Sequence, residues 1–295
     1  MNWTALPQSG QAAHQSIDEA ERSGRRIAQQ QHKWLIPLGR AGYAANGLGY
    51  IVVGALAAQA AFGVGGDMTD TGGALAHIVQ APLGRLLVGL VGVGLAGYAV
   101  WRLLQALLDT EHKGESLAGI AQRIGFAVAA LTYAGLAASG LGLALARGGG
   151  PNDELATQDR TAWLMSQPFG PFLVVAAGLI VVGVGLAQFI RAYRASFANK
   201  IQRERMSSGM REALQFAGRL GFTARGVAFV LIGAFLVVAG TQAQPDQARG
   251  LGGALGALSG AQPFGPWLLA LVGVGLMAYG VYMLVAARYR RMVLS

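Results

Sequence analysis

The chain has 295 residues, of which 53% are hydrophobic and 13% charged, whereas soluble domains carry about a quarter charged residues. It contains no cysteine, which excludes disulfides, thiolate metal sites and thiol catalysis. Its net charge of +9 predicts no nucleic-acid partner, because basic loops that face anionic lipid are ordinary in membrane proteins.

Charged residues are rare in six blocks of about 20 residues each. A helix of this length crosses a hydrocarbon core of ~30 Å. A backbone in lipid must satisfy its own hydrogen bonds, so each block is predicted to be a helix. A polar tail at 1–36 precedes the blocks, and a short surface helix is predicted at 72–79. The predicted spans are 41–62, 83–104, 124–146, 171–190, 220–241 and 267–287.

Two signatures divide the six spans into three copies of a helical hairpin. An Arg-x-Gly-aromatic motif opens the first helix of each copy, and a proline opens the second. The copies are predicted at 37–109, 120–195 and 217–291, with a basic loop at 196–216 between the second and third. The motif residues are Arg40, Gly42 and Pro82, then Arg123, Gly125 and Pro168, then Arg219, Gly221 and Pro263.

The distribution of basic residues predicts the orientation. Seventeen of the 23 lysines and arginines lie before the first span, after the sixth, or in the loops that join one hairpin to the next, and Arg102 and Arg225 lie inside spans near these loops. Positively charged loops stay cytoplasmic, so both termini are predicted to be cytoplasmic. Every hairpin then starts from the same side, as in parallel repeats related by an axis along the membrane normal. The predicted fold is an all-α polytopic bundle of six transmembrane helices, arranged as three tandem hairpins with pseudo-threefold symmetry.

Glycine supports close packing of these helices. The chain has 45 glycines, and small residues let helix backbones approach each other in lipid, where no hydrophobic force drives helices together. The middle copy departs most from the pattern: Ala130 and Ala137 stand where the outer copies have Gly47 and Gly226, and Gly54 and Gly233.

The tandem Arg-x-Gly-aromatic and Gln-Pro-Phe-Gly patterns resemble a bacterial membrane family catalogued as domain of unknown function 1206. The resemblance covers about residues 36–291. It implies three two-helix repeats in one chain and a multi-pass protein of the bacterial plasma (inner) membrane. It brings no assigned activity and no catalytic residues.

The sequence predicts no catalytic, cofactor-binding or metal site. A glycine pattern at 92–97 matches the dinucleotide fingerprint, but it lies inside an apolar span and is interpreted as helix packing. The four histidines lie on different segments, without ligand spacing. No Asp or Glu lies inside a predicted span, which argues against an ion-coupled carrier.

One repeat position carries polar residues inside the spans. Asn46 and Arg225 both follow their motif arginine by six residues, and the remaining copy has Ala129 there. One interpretation is a polar layer on the axis that binds or passes something small. The preferred interpretation is that Arg225 snorkels to the interface and that Asn46 bonds a neighbouring helix.

Residues 191–219 alternate basic groups with Phe197, Ile201, Met206, Met210 and Leu214. At helical spacing this predicts a basic amphipathic surface segment that contacts anionic headgroups or a protein partner. The alternative is an ordinary positive loop that rests on the headgroups. The candidate contact residues are Arg191, Arg194, Lys200, Arg203, Arg205 and Arg211.

Two functions therefore stay open. The first is a non-enzymatic membrane interaction or structural protein that uses residues 191–219 as its contact surface. The second is a small-solute or ion channel or facilitator along the pseudo-threefold axis, lined by Asn46 and Arg225. An enzyme is not predicted, because no nucleophile, base or metal set is visible in the sequence.

Overall fold

The structure, a computed structural model, describes residues 37, 39–66, 68–107, 117–145, 153–201 and 206–290. The predicted tail at 1–36, with Arg203 and Arg205, lies outside these ranges. Across the described residues the regular elements are helices, and the single β-bridge joins Ile201 to Arg290. The prediction of an all-α fold is confirmed.

Six long helices are apolar enough to cross a membrane, which confirms the predicted multi-pass architecture. Each hairpin also contains a short helix between its two long ones, and the one at Thr71–Val79 matches the predicted surface helix. The long helices are α1 (Gly39–Ala61), α3 (Gly84–Leu107), α4 (Leu117–Leu145), α6 (Gly170–Arg194), α7 (Ser208–Gln242) and α9 (Gly265–Tyr289). The short helices are α2 (Thr71–Val79), α5 (Asp153–Met165) and α8 (Leu251–Ser259), and 3₁₀ turns occupy Ser196–Lys200 and Pro245–Gln247.

Helix α7 begins well before its predicted span. The Ser207 side chain accepts a hydrogen bond from the Met210 amide at 3.3 Å, which caps the helix in the polar segment. The loop predicted at 196–216 is therefore largely helical, because a 3₁₀ turn opens it and the first turns of α7 close it. Hydropathy marks where a helix enters lipid, not where its hydrogen bonds start, and this explains the difference.

The second long helix of each hairpin starts at a glycine two residues after the repeat proline: Gly84, Gly170 and Gly265. A methyl group at any of the three would collide with the carbonyl end of the short helix before it. The glycine therefore lets the chain turn directly from the short helix into the membrane span, and the recurring Pro-x-Gly is explained by this turn.

The first helices of the three hairpins meet at the centre of the bundle. Asn46 of α1 donates a hydrogen bond to the Tyr133 hydroxyl of α4, and the guanidinium of Arg225 on α7 lies over the Tyr50 ring of α1. The second helices lie outside: α3 packs against α1 and α4, and α9 packs against α7 and α1. This is the arrangement expected of three parallel repeats.

Each hairpin contacts the next through its second helix, and glycine sets how close these helices come. A methyl group at Gly178 on α6 would lie 2.8 Å from the Gly233 carbonyl oxygen on α7. At the equivalent place between α9 and α1, one at Gly273 would lie 2.8 Å from the Gly54 carbonyl oxygen. The third interface, α3 with α4, has Gly92 on α3 and the alanines of the middle copy on α4.

The second hairpin breaks the symmetry, because α4 and α6 hardly touch. In the first and third hairpins a tyrosine of the second helix packs on the motif glycine: Tyr98 on Gly42, and Tyr279 on Gly221. The second hairpin has Val184 at the tyrosine position, where it is 44% exposed, and nothing lies near Gly125. Without the large ring the two helices are not drawn together, and the ring of helices is open there.

The glycine contacts give a direct stability test. We expect Gly178→Leu to destabilise the protein by about 1–3 kcal/mol, because the added side chain forces α6 and α7 apart. Gly183→Leu on the same helix is the matched control, since nothing lies within 4 Å of a Cβ at that position. Thermal unfolding of both variants in the same detergent measures the difference. Equal unfolding temperatures would show that close approach does not hold this interface.

Candidate functional site

The polar side chains inside the bundle form an arginine–tyrosine layer, which consists of Asn46, Tyr98, Arg102, Tyr133, Arg225 and Tyr279. Two tyrosines at equivalent repeat positions each accept a hydrogen bond from an arginine: Tyr98 from Arg102, and Tyr279 from Arg225. Tyr98 and Tyr279 stand about 14–15 Å before the ends of α3 and α9, at ~1.5 Å per residue. The layer therefore lies well inside the bundle.

Arg225 does not snorkel to the interface, so the preferred interpretation of this residue is wrong. Its guanidinium carbon lies 4.5 Å from the ring centre of Tyr279, 4.9 Å from that of Phe229 and 5.2 Å from that of Tyr50. Each such contact is worth about 0.5–2 kcal/mol, more where water is excluded. Three helices thus enclose the charge, and sequence alone did not indicate that their rings converge on one cation.

Asn46 bonds a neighbouring helix, as the preferred interpretation proposed. Its side-chain amide donates to the Tyr133 hydroxyl at 3.0 Å, and only 1% of the residue is exposed. The Tyr133 ring packs edge-on against Tyr98, with 4.6 Å between ring centres. Among the described residues the side-chain carbonyl oxygen of Asn46 has no hydrogen-bond donor. The amide therefore links the first two hairpins.

Arg102 is a member of the layer that sequence reasoning missed. It lies near the end of the predicted span 83–104, a position typical of an arginine that reaches the membrane edge. Instead it turns back along its own helix, donates to Tyr98 and to Gln105 (3.2 Å), and lies 5.3 Å from the Phe126 ring centre. The spacing of Tyr98 and Arg102 is the available signal, since residues four apart share a helix face.

The layer carries two positive charges and no neutralising carboxylate within the described part of the spans. Both guanidinium groups are instead held by aromatic faces and hydroxyl oxygens, and the Nε atom of each is buried without an acceptor among the described residues. Such a site donates hydrogen bonds and repels cations. Among the described residues there is also no group of three or more His, Cys, Asp or Glu side chains that could hold a metal.

The apolar side of the basic segment at 191–219, which was predicted to be an amphipathic surface segment, packs within the chain. Of the five apolar side chains named above, Phe197, Ile201, Met206 and Leu214 are buried in the same cluster as residues of α7 and α9, whereas Met210 is exposed. Phe197 stacks on Phe222 with ring centres 5.1 Å apart. The apolar side therefore seals the end of the bundle, because it finds a partner within the chain.

The charged side of this segment remains at the surface. Arg191 and Arg194 are exposed at the end of α6, and Arg211 is half-buried with its Nε–H bonded to the Met206 carbonyl at 3.1 Å. Lys200 ends the 3₁₀ turn, while Arg203 and Arg205 lie outside the described residues. Arg288, at the end of α9, adds a further exposed charge on this face.

Comparison with known proteins gives the family. The model of the family described as "Domain of Unknown Function (DUF1206)" matches three times, at residues 41–109, 124–195 and 220–290. The chain belongs to this family. The three matches coincide with the three hairpins, and they confirm the predicted tandem repeat.

A relative in Bacillus subtilis (strain 168) carries the name "Uncharacterized protein YxxB". It is 35% identical over 267 residues, which cover 90% of this chain and 95% of the relative. No solved structure matches the chain.

The motif arginines of the three family repeats have different surroundings. Arg123 binds the end of the preceding hairpin: its Nε donates to the Ala106 carbonyl at 2.8 Å, and its Nη2 to the Leu107 carbonyl at 3.1 Å. These carbonyls are left free at the end of α3, so the arginine caps that helix. Arg40 and Arg219 are exposed, and Arg219 lines an open cavity.

The arginine–tyrosine layer can be tested through one hydroxyl group. We expect Tyr279→Phe to lower the free energy of unfolding by about 1–3 kcal/mol, because a buried charged donor on Arg225 loses its acceptor. Tyr193→Phe is the control, since Tyr193 is 87% exposed. Unfolding in detergent is the measurement for both variants. If Tyr279→Phe unfolds like the control, the hydroxyl does not stabilise the arginine.

Proposed function

We propose that this protein is a non-enzymatic component of the bacterial inner membrane, that both of its termini are cytoplasmic, and that it acts by binding an acidic partner at its cytoplasmic face. The observation that supports this most is the buried apolar side of the basic segment. Because Phe197 and Ile201 are fixed against the bundle, the charges around them lie on an ordered surface. An ordered surface loses less conformational entropy on binding than a flexible loop does.

The charge on this surface favours an acidic protein segment together with anionic headgroups. Arg191 and Arg194 are exposed at the end of α6 and Arg288 at the end of α9, and both of these outer helices pack against α7. Long-range attraction to such a patch raises association rates and weakens with salt, because the charges are solvent-exposed. The position of the patch at the membrane surface would place a bound partner against the headgroups.

The alternative function, a channel or facilitator along the axis, has one observation in its favour: polar groups of Asn46 and Arg225 lie on the inner helices. Tight packing argues against it. Asn46, Tyr43 and Tyr98 are each only 1% exposed, and aromatic rings surround the guanidinium of Arg225. A path through this layer would require these side chains to move, and Arg225 would repel cations.

Because the chain has no cysteine, single introduced cysteines can be labelled to test both its membrane orientation and the accessibility of the bundle axis. In intact cells treated with a membrane-impermeant maleimide, we expect Val64→Cys to label, since Val64 is exposed in the connection after α1. Arg194→Cys should label only after permeabilisation. Asn46→Cys and Ala129→Cys should label in neither state, because the axis is packed. Labelling of Arg194→Cys in intact cells would reverse the orientation, and labelling at 46 and 129 would support the channel.

The contact surface can be tested by photo-cross-linking in cells. A photoreactive amino acid at Met210, which is 44% exposed on the basic segment, should form a specific adduct with the partner. The double change Arg191→Glu and Arg194→Glu should remove the adduct, because it reverses the charge that attracts the partner. Arg85→Glu, at an exposed arginine on the other end of the bundle, should leave it intact. An adduct that survives the double change would contradict the proposal.

A further inference from the structure

Arg219, the motif arginine of the third hairpin, occupies the same repeat position as Arg123 of the second hairpin. At that position Arg123 has a clear structural role. Arg123 fills its place by bonding the carbonyls of Ala106 and Leu107 at the end of α3. At the interface of α6 with α7, the repeat places Ala192 and Tyr193 opposite Arg219. Here the arginine lines a cavity, and among the described residues its guanidinium has no hydrogen-bond acceptor. The packing need that explains Arg123 does not explain Arg219.

The cavity has a volume of about 350 Å³ and is lined by Phe189, Ala192, Tyr193, Arg219 and Thr223. Arg219 and Thr223 are four residues apart on α7, so they point the same way, and Phe189 and Tyr193 do the same on α6. One wall thus offers a guanidinium and a hydroxyl, and the other offers aromatic surface. Guanidinium with hydroxyl is a donor pair that suits phosphate oxygens.

The position of the cavity indicates where that phosphate comes from. It lies at the end of α6 and of the membrane span, and its lining residues Tyr193, Arg219 and Thr223 are exposed. Ile190, beside the cavity, and Leu186, one turn before it on α6, are exposed as apolar surface. A ligand with a phosphate at the helix end and hydrocarbon along α6 satisfies both features. Arg191 and Arg194 add positive charge beside it.

We propose that this cavity is a binding site for an anionic phospholipid: Arg219 and Thr223 bind its phosphate, and its acyl chain lies along the outer face of α6. The proposal rests on the placement of this helix end at the cytoplasmic headgroup layer, as proposed above. It is independent of any protein partner. The site would hold one lipid in a fixed position, in contrast to the diffuse attraction that any basic surface exerts on a bilayer.

The test is native mass spectrometry of the full chain in detergent, titrated with phosphatidylglycerol or with zwitterionic phosphatidylethanolamine. We expect one phosphatidylglycerol to bind more tightly than the rest, and Arg219→Gln to weaken it about tenfold, because a charge-assisted pair is lost. Thr223→Leu, which keeps the arginine and fills the cavity, should weaken it as well. Arg40→Gln removes an exposed charge at the equivalent repeat position of the first hairpin and should leave the affinity unchanged.

Each other outcome overturns the proposal. Equal loss for Arg219→Gln and Arg40→Gln would mean diffuse electrostatic attraction. Displacement of the lipid by millimolar inorganic phosphate would mean a site for free phosphate. Circular dichroism checks that Arg219→Gln is folded, and Thr223→Leu decides the matter if it is not. The cross-link at Met210 is a separate readout, so the lipid site and the protein-binding surface fail independently.

Discussion

The bundle depends on the close approach of two backbones where the second helix of one hairpin meets the first helix of the next. In lipid, helices gain nothing from hiding apolar surface, so association relies on packing contacts between them. Gly178 with Gly233, and Gly273 with Gly54, allow a helix distance that any side chain would prevent. Because this contact joins one hairpin to the next, it places all three first helices at the centre. The polar residues of the bundle face each other for this reason.

The charge at the centre follows from that geometry. An arginine inside a membrane span is costly unless its guanidinium finds a replacement for water. Arg225 finds it in the rings of Tyr50 and Tyr279, which come from two other helices, so its stability depends on the assembled bundle. Arg102 finds it on its own helix in Tyr98 and Gln105. The layer is thus a product of packing between the helices.

Length, hydropathy and the repeated motifs were enough to predict the six spans, the three hairpins and their parallel arrangement. These features depend on local composition and on the thickness of the membrane, both of which are read directly from sequence. Partners across the bundle were not predictable in the same way. The inward turn of Arg102, the rings around Arg225 and the burial of Phe197 each depend on which helices become neighbours. The start of α7 was missed because a polar helix segment has no hydropathy signal.

Internal repeats allow a comparison within one chain, because each repeat position occurs three times in similar surroundings. Where the copies agree, as at the glycines that begin α3, α6 and α9, packing alone explains the residue. Where they differ, the packing requirement is not shared by all three copies. The missing tyrosine opens the second hairpin, and Arg219 faces a cavity where Arg123 caps a helix. An exposed arginine that lines a cavity is a better indicator of a ligand than its charge alone. That contrast between copies is why the cavity at Arg219, and not the more numerous exposed arginines, is assigned a specific occupant.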